Sequence, residues 1–128
     1  MSGTAAAGER GSVSLVAVAI IAAATILALG AADLARVLVA ASRAQTAADA
    51  SALAAAQELA IPSGRDPAEV AAEYALRNGG ELLGCSCARG TFEAVVQVGV
   101  DTGSLLLLGE HRVVRADARA VVDLGGSP

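Results

Sequence analysis

The 128-residue chain has a net charge of −4, is 55% hydrophobic but only 2% aromatic, and takes all nine of its basic residues as arginine. With no basic stripe and almost no ring on which a base could stack, no nucleic acid partner is expected. Much of the hydrophobic content is alanine, which buries little area, so any core must be thin and is expected to rest on Phe92, Tyr74 and the valine and leucine positions.

Met1 to Arg10, MSGTAAAGER, is small, polar and turn-like, and reads as a leader or cytoplasmic tail with no packed structure of its own. From Ser12 to Ala32 there is no charged residue at all. At about 1.5 Å per helical residue this run is long enough to cross the ~30 Å hydrocarbon core of a bilayer. Three fates of such a run are distinguishable. A secretory signal would be cut after Ala28-Leu29-Gly30, releasing a chain that starts at Ala31, although the run is longer than the usual ~7–15 apolar residues of a signal. A plain single-pass anchor would stay as it is. The third fate depends on a resemblance carried by the Gly11-Ser12 junction.

Beyond Asp33, which marks the membrane exit, the pattern turns from uniformly apolar to amphipathic. Leu34, Leu38, Ala41, Gln45, Ala48, Ala52, Ala55 and Leu59 recur at alternating spacings of four and three, a heptad-like seam on which a partner helix could approach closely. Gly30 is the one internal weak point, costing ~1 kcal/mol relative to alanine. The expectation is one continuous helix to about Ala60, ~49 residues and ~73 Å long, lying in the membrane at first and projecting from it afterwards.

Ile61 to Pro67, IPSGRDP, is a break punctuated by Pro62, Gly64 and Pro67. Asp66 then suits an N-cap, with Pro67 at the first helical position and Glu69 placed for a capping box, and a helix should run to Asn78 and end at Gly79-Gly80. Val70, Tyr74 and Leu76 should face a sheet. The period next changes to two. Phe92, Ala94, Val96, Val98 and Val100 form the inward set of one strand, and Val114, Ala116, Ala118, Ala120 and Val122 that of another. Glu81 to Cys85 is a weaker third, joined to Thr91 by a turn at Ala88-Arg89-Gly90. The four leucines from 105 to 108 read either as a core turn or as an exposed patch that docks on a partner or on the bilayer surface.

No catalytic residue, cofactor site or metal site is expected. His111 is the only histidine, and reads as a solvated loop residue. With Cys85 and Cys87 it makes three ligands where a zinc site usually needs four. The C-x-C pair is a candidate disulfide, although closing so tight a ring runs against normal geometry. The plainer reading is two small, partly buried strand residues, with pairing to another chain as the alternative. Asp33 and Arg36, three apart, are placed to pair on the helix surface.

The order of the pieces adds a resemblance. Glu9-Arg10-Gly11 followed at once by a long apolar helix resembles the class III signal of type IV pilin-like proteins. The stretch ERGSVSLVAVAI…AADLARVLVAASRAQTAADASALAAA, then ALRNGGELLGC from Ala75 to Cys85 and a valine-alternating strand, resembles the TadE/TadG-like family over about Glu9 to Val122. It is most similar to the short TadE-like proteins of high-GC Gram-positive bacteria. The resemblance implies a minor pilin or pseudopilin of an Flp-type pilus or related secretion apparatus, cut after Gly11 by a prepilin peptidase to leave Ser12 at the N-terminus. Its partners would be other pilin-like or assembly subunits and membrane lipid. Val16 stands at the fifth position after the cut, where pilin-like proteins usually carry glutamate, so an accessory or membrane-retained role fits better than a shaft role. The expected fold is α+β. A leader or cytoplasmic tail covers 1–11, and a transmembrane helix that continues as an amphipathic helix covers 12–60. A linker covers 61–67, and a small extracytoplasmic domain of one helix and a two- to three-stranded antiparallel sheet covers 68–128.

Overall fold

The computed structural model describes residues 3–126. Helix α1 runs without interruption from Gly3 to Ala60, helix α2 from Pro67 to Arg77, and strands β1, β2 and β3 cover Glu81–Ser86, Glu93–Ser104 and His111–Val121. The fold is therefore α+β, with one very long helix ahead of a helix and a three-stranded antiparallel sheet. The 58 residues of α1 extend for about 87 Å. The leader expected to be turn-like is helical from Gly3 onward, continuous with the helix of the apolar run; Met1 and Ser2 lie outside the described residues.

From Arg10 to Ala28, α1 is exposed throughout. Val13, Leu15, Val16, Val18, Ile20, Ile21, Ile26 and Leu27 are all exposed. Arg10–Ala60 is long and apolar enough to cross a membrane, and the span's most apolar window is uncovered by any other part of the protein. Thr25 returns its hydroxyl to the Ile21 carbonyl at 2.8 Å, so this polar group carries its own partner into the apolar stretch.

The second half of α1 is the backbone of the core. Ala47, Ala48, Ala52, Ala55, Ala56 and Leu59 are buried with Ala71 and Ala75 of α2 and with Ala94, Val96, Val98 and Ala118 of the sheet. A smaller cluster nearer the membrane half joins Ala40 and Ala44 to Val100. Because nearly every contact residue of α1 is alanine, helix and sheet approach closely. This closeness corrects the expectation that Phe92 and Tyr74 carry the core: both rings are exposed at its edges. Leu76 is likewise exposed, and α2 instead presents Pro67, Val70, Ala71 and Ala75 inward.

The local signals that begin and end α2 act as expected, with one change. The Asp66 carboxylate accepts the Ala68 N–H at 3.0 Å, one residue earlier than the Glu69 capping box requires. At the other end Gly79 takes a φ of +77°. The Gly80 N–H reaches the Ala75 carbonyl at 2.9 Å and the Gly79 N–H the Leu76 carbonyl at 3.1 Å, a Schellman closure. Gly80, just before β1, sits in a space that admits no side chain. A Cβ there would lie 2.5 Å from Val98 Cγ1 and 3.2 Å from the Ala47 Cβ.

The sheet order is β1-β2-β3, with β2 central. Glu81 pairs with Gly99 and Cys85 with Val96 on one side, the register shifting between Leu82 and Gly84. Glu93 pairs with Val121 and Val100 with Val114 on the other. The period-two reading holds for β2: Ala94, Val96, Val98 and Val100 are buried against α1. Of the β3 set, Ala118 is buried and Val114, Ala116 and Ala120 are half-buried. The far face is polar in part, carrying a Gln97 to Asp117 hydrogen bond and the Arg119–Glu93 ion pair.

Candidate functional site

Two regions of α1 bear on function: the seam predicted from the heptad spacing, and the point where the apolar half meets the folded half. The structure divides the seam. Ala48, Ala52, Ala55 and Leu59 are buried within the chain's own core, so they are not free for a partner. Ala41 is half-buried and Gln45 is exposed, its amide donating to Asp49 at 2.9 Å. Leu34 and Leu38 are 59% and 60% exposed, and Val39 beside them is also exposed. The open apolar surface therefore runs from Val13 to Val39 and stops where the sheet begins. Gly11 and Ser12 both lie within α1 and are exposed.

At the junction, the leucine stretch folds into a single turn laid against the helix. The Gly109 N–H closes the turn on the Leu105 carbonyl at 2.9 Å, with Gly109 at φ +64°. Such a turn leaves its leading N–H groups without partners of its own. Asp33 supplies them: its carboxylate accepts the Leu106 N–H at 2.6 Å and the Leu107 N–H at 2.8 Å. Arg36 donates from Nη1 to the Ser104 carbonyl at 2.6 Å. Asp33 and Arg36, expected to pair with each other on the helix surface, instead each bind the loop from Ser104 to Leu107. Asp33 is only 7% exposed. The two backbone N–H donors hold its carboxyl below the ordinary value of 3.8, outweighing the opposing effect of burial, with the Arg36 charge adding to them.

Within the turn, Leu105 is buried while Leu106, Leu107 and Leu108 are about half exposed. Leu107 Cδ1 lies 3.6 Å from where a Gly30 Cβ would stand, so the turn reaches back alongside the end of the uncharged run. The two readings of the leucines are both realised in part, one leucine entering the core and three remaining outside. Polar groups close over the other side. The Asp101 carboxylate takes the Gly103 N–H at 2.6 Å and faces His111 Nδ1 at 3.2 Å, and together these hold Asp101 below its usual range. His111 is therefore the first residue of β3, paired with an aspartate, and not a loop residue. A cleft of about 280 Å³ lies next to the junction, edged by Arg36, Arg43, Asp101 and Thr102.

At the distal end of α1, Glu58 gathers the linker. Its carboxylate accepts the Ser63 hydroxyl and N–H and the Arg65 N–H, and these contacts, the Ser63 hydroxyl foremost, lower its pKa. Cys85 and Cys87 are bonded to each other, with Cα atoms 5.5 Å apart, inside the usual disulfide range. The expected difficulty of the tight ring is met by position. Cys85 is the penultimate residue of β1 and Cys87 the first beyond it, so both side chains leave on one face where the strand is free to curl. Among the described residues, no group of three or more His, Cys, Asp or Glu is gathered as a metal site would require.

Residues 11–58 match the model of a family described as Putative Flp pilus-assembly TadE/G-like. That segment is similar to the family over these residues. It comprises the apolar run and the α1 part of the core, and the match ends two residues before the helix does. The sheet lies outside it, so the match is shorter than the resemblance read from the sequence. No curated protein and no solved structure matches the chain.

Proposed function

We propose that the chain is a minor pilin-like or pseudopilin-like subunit of an Flp-type pilus or related secretion apparatus, acting by helix packing and not by chemistry. The observation that carries this reading is the coincidence of the TadE/G-like match with α1, a helix bare along its membrane half and built into a folded domain along the rest. An exposed apolar helix is at home either in lipid or against other helices. Assembly of pilin-like subunits exchanges one environment for the other. In this reading the N-terminus is cytoplasmic, the sheet domain is extracytoplasmic, and the open part of the seam at Leu34 and Leu38 meets a partner helix just outside the bilayer. A prepilin peptidase would act at Gly11-Ser12.

The uncharged position at Val16 supports an accessory or membrane-retained subunit. A carboxylate in lipid is costly and is kept where assembly uses it; none lies between Ser12 and Ala32.

Mass spectrometry of the mature N-terminus tests the proposal. A start at Ser12 supports it. A start at Ala31 would make the chain a secreted domain and overturn it. An intact Met1 or Ser2 would leave a single-pass envelope protein without pilin processing. Cysteine cross-linking from Leu34→Cys and Leu38→Cys in native membranes should trap an assembly subunit; cross-links to none would count against the seam.

A further inference from the structure

We propose that the turn carrying Leu106, Leu107 and Leu108 is a membrane-interface anchor, dipping into the acyl-chain boundary beside α1 and fixing the attitude of the sheet domain on the bilayer. The inference rests on the reading of α1 as a membrane span, and goes beyond it by assigning a second contact with lipid.

The depth of the turn follows from the geometry. Leu107 packs at Gly30, three residues before Asp33. Gly30 lies about 4.5 Å along the helix axis on the apolar side of that aspartate. If the uncharged run to Ala32 occupies the hydrocarbon core, Leu107 is held at the same depth as the residues that end it. The tethers are stiff. Two N–H bonds to Asp33 and the Arg36 bond to the Ser104 carbonyl join the turn to the helix at the boundary and one turn beyond it.

The chemistry of the tip agrees with that depth. Three consecutive leucines are left about half exposed although the turn has a buried leucine of its own. Exposing three large apolar side chains together at a loop tip is unfavourable in water and favourable against acyl chains. The residues on either side are polar: Asp101, Thr102 and Ser104 before the turn, Glu110, His111 and Arg112 after it. Arg36 lies just beyond Asp33 at headgroup depth. The backbone polar groups that would suffer most in lipid are the leading N–H groups of the turn, and Asp33 satisfies them. The buried aspartate thereby allows an irregular segment to sit at the membrane boundary.

The chain has no tryptophan, so a single introduced one reports alone. Full-length Leu107→Trp would be placed in nanodiscs of phosphatidylcholine and phosphatidylglycerol, with acyl chains brominated near the headgroup end for the turn and near the bilayer centre for the span. Leu106→Trp serves as a second reporter should the first alter thermal unfolding. Ile20→Trp monitors the span, and Val121→Trp the far end of the sheet. The expected result is blue-shifted emission and loss of intensity for the leucine-turn tryptophans and for Ile20→Trp, with Val121→Trp unquenched. Water-like, unquenched emission at the turn with Ile20→Trp quenched would overturn the anchor and leave the span standing. Blue-shifted but unquenched emission at the turn would mean that protein covers the leucines, and would also overturn it. Unquenched Ile20→Trp would remove the span, and the anchor with it.

Discussion

Among the described residues two polar side chains are buried, and their circumstances differ. Asp33 has its oxygens engaged by two backbone donors, while the Ser51 hydroxyl, fully buried on α1, has no hydrogen-bond partner among the described residues. An unpaired buried hydroxyl costs free energy that its removal recovers. Ser51→Ala should therefore stabilise the protein by about 1 kcal/mol, with a little more from alanine's helix propensity, raising the unfolding midpoint by roughly 4–8 °C for a domain of this size. Unfolding followed by circular dichroism in nanodiscs measures it, and an unchanged or lowered midpoint would show that Ser51 has a use for its hydroxyl. Asp33 yields a pH prediction. Its folded pKa lies below the ordinary 3.8, so its contribution is fully present above 3.8 and is lost as pH falls through the lower folded value. Protection of the Leu106 and Leu107 amides against hydrogen exchange, corrected for intrinsic rate, should be level from neutral pH down to about the ordinary value of 3.8 and decline below it, toward the lower folded value. Asp33→Asn, with a single acceptor oxygen, should lower that protection at neutral pH and flatten its pH dependence. Protection already fading between pH 6 and 5 would contradict the assignment.

At the level of elements, periodicity reveals that a face is buried but not what buries it. The spacing from Leu34 to Leu59 identified a packing stripe on α1. Its distal half is covered by this chain's own sheet and α2, and no signal within the helix distinguishes that cover from a partner's. The β2 alternation and the Asp66 and Gly79-Gly80 signals around α2 were legible because each depends on one local requirement: a pleat, a cap, a left-handed residue. The tether of Asp33 to the leucine turn was not legible, since it joins positions more than seventy residues apart. Nor were the peripheral positions of Phe92 and Tyr74, which follow from how closely an alanine helix approaches a sheet. The division of the seam yields a paired prediction. Ala48→Glu should lower stability by about 3 kcal/mol or more, because a carboxylate is forced into a fully buried alanine contact. Leu34→Glu or Leu38→Glu should change stability by less than about 0.5 kcal/mol and yet reduce recovery of assembly partners. Normal folding of Ala48→Glu would refute the intramolecular packing. Undiminished partner recovery with the leucine variants would refute the open half of the seam.

For the whole molecule, α1 and the sheet share one core. The residues that cover the inner face of β2 come from α1, and α2 too rests on α1 alanines. A chain from Ile61 onward would keep α2 and all three strands but lose one wall of the core. It would expose Val96, Val98 and Val100 to water on a sheet of three strands. A segment that small, deprived of its largest buried interface, falls below what a single core sustains. The fragment 61–126 should therefore lack cooperative thermal unfolding and bind hydrophobic dyes, whereas 33–126, which restores Asp33 and the core half of α1 without the membrane span, should unfold cooperatively. Circular dichroism melts of the two fragments measure the difference, and a sharp transition in the shorter one would show that the domain is independent of the helix. The expected outcome has a mechanical consequence. A domain that takes part of its core from the membrane helix cannot hinge away from it without unfolding. Any shift or rotation of α1, whether in lipid or against an assembly partner, then carries the sheet rigidly with it.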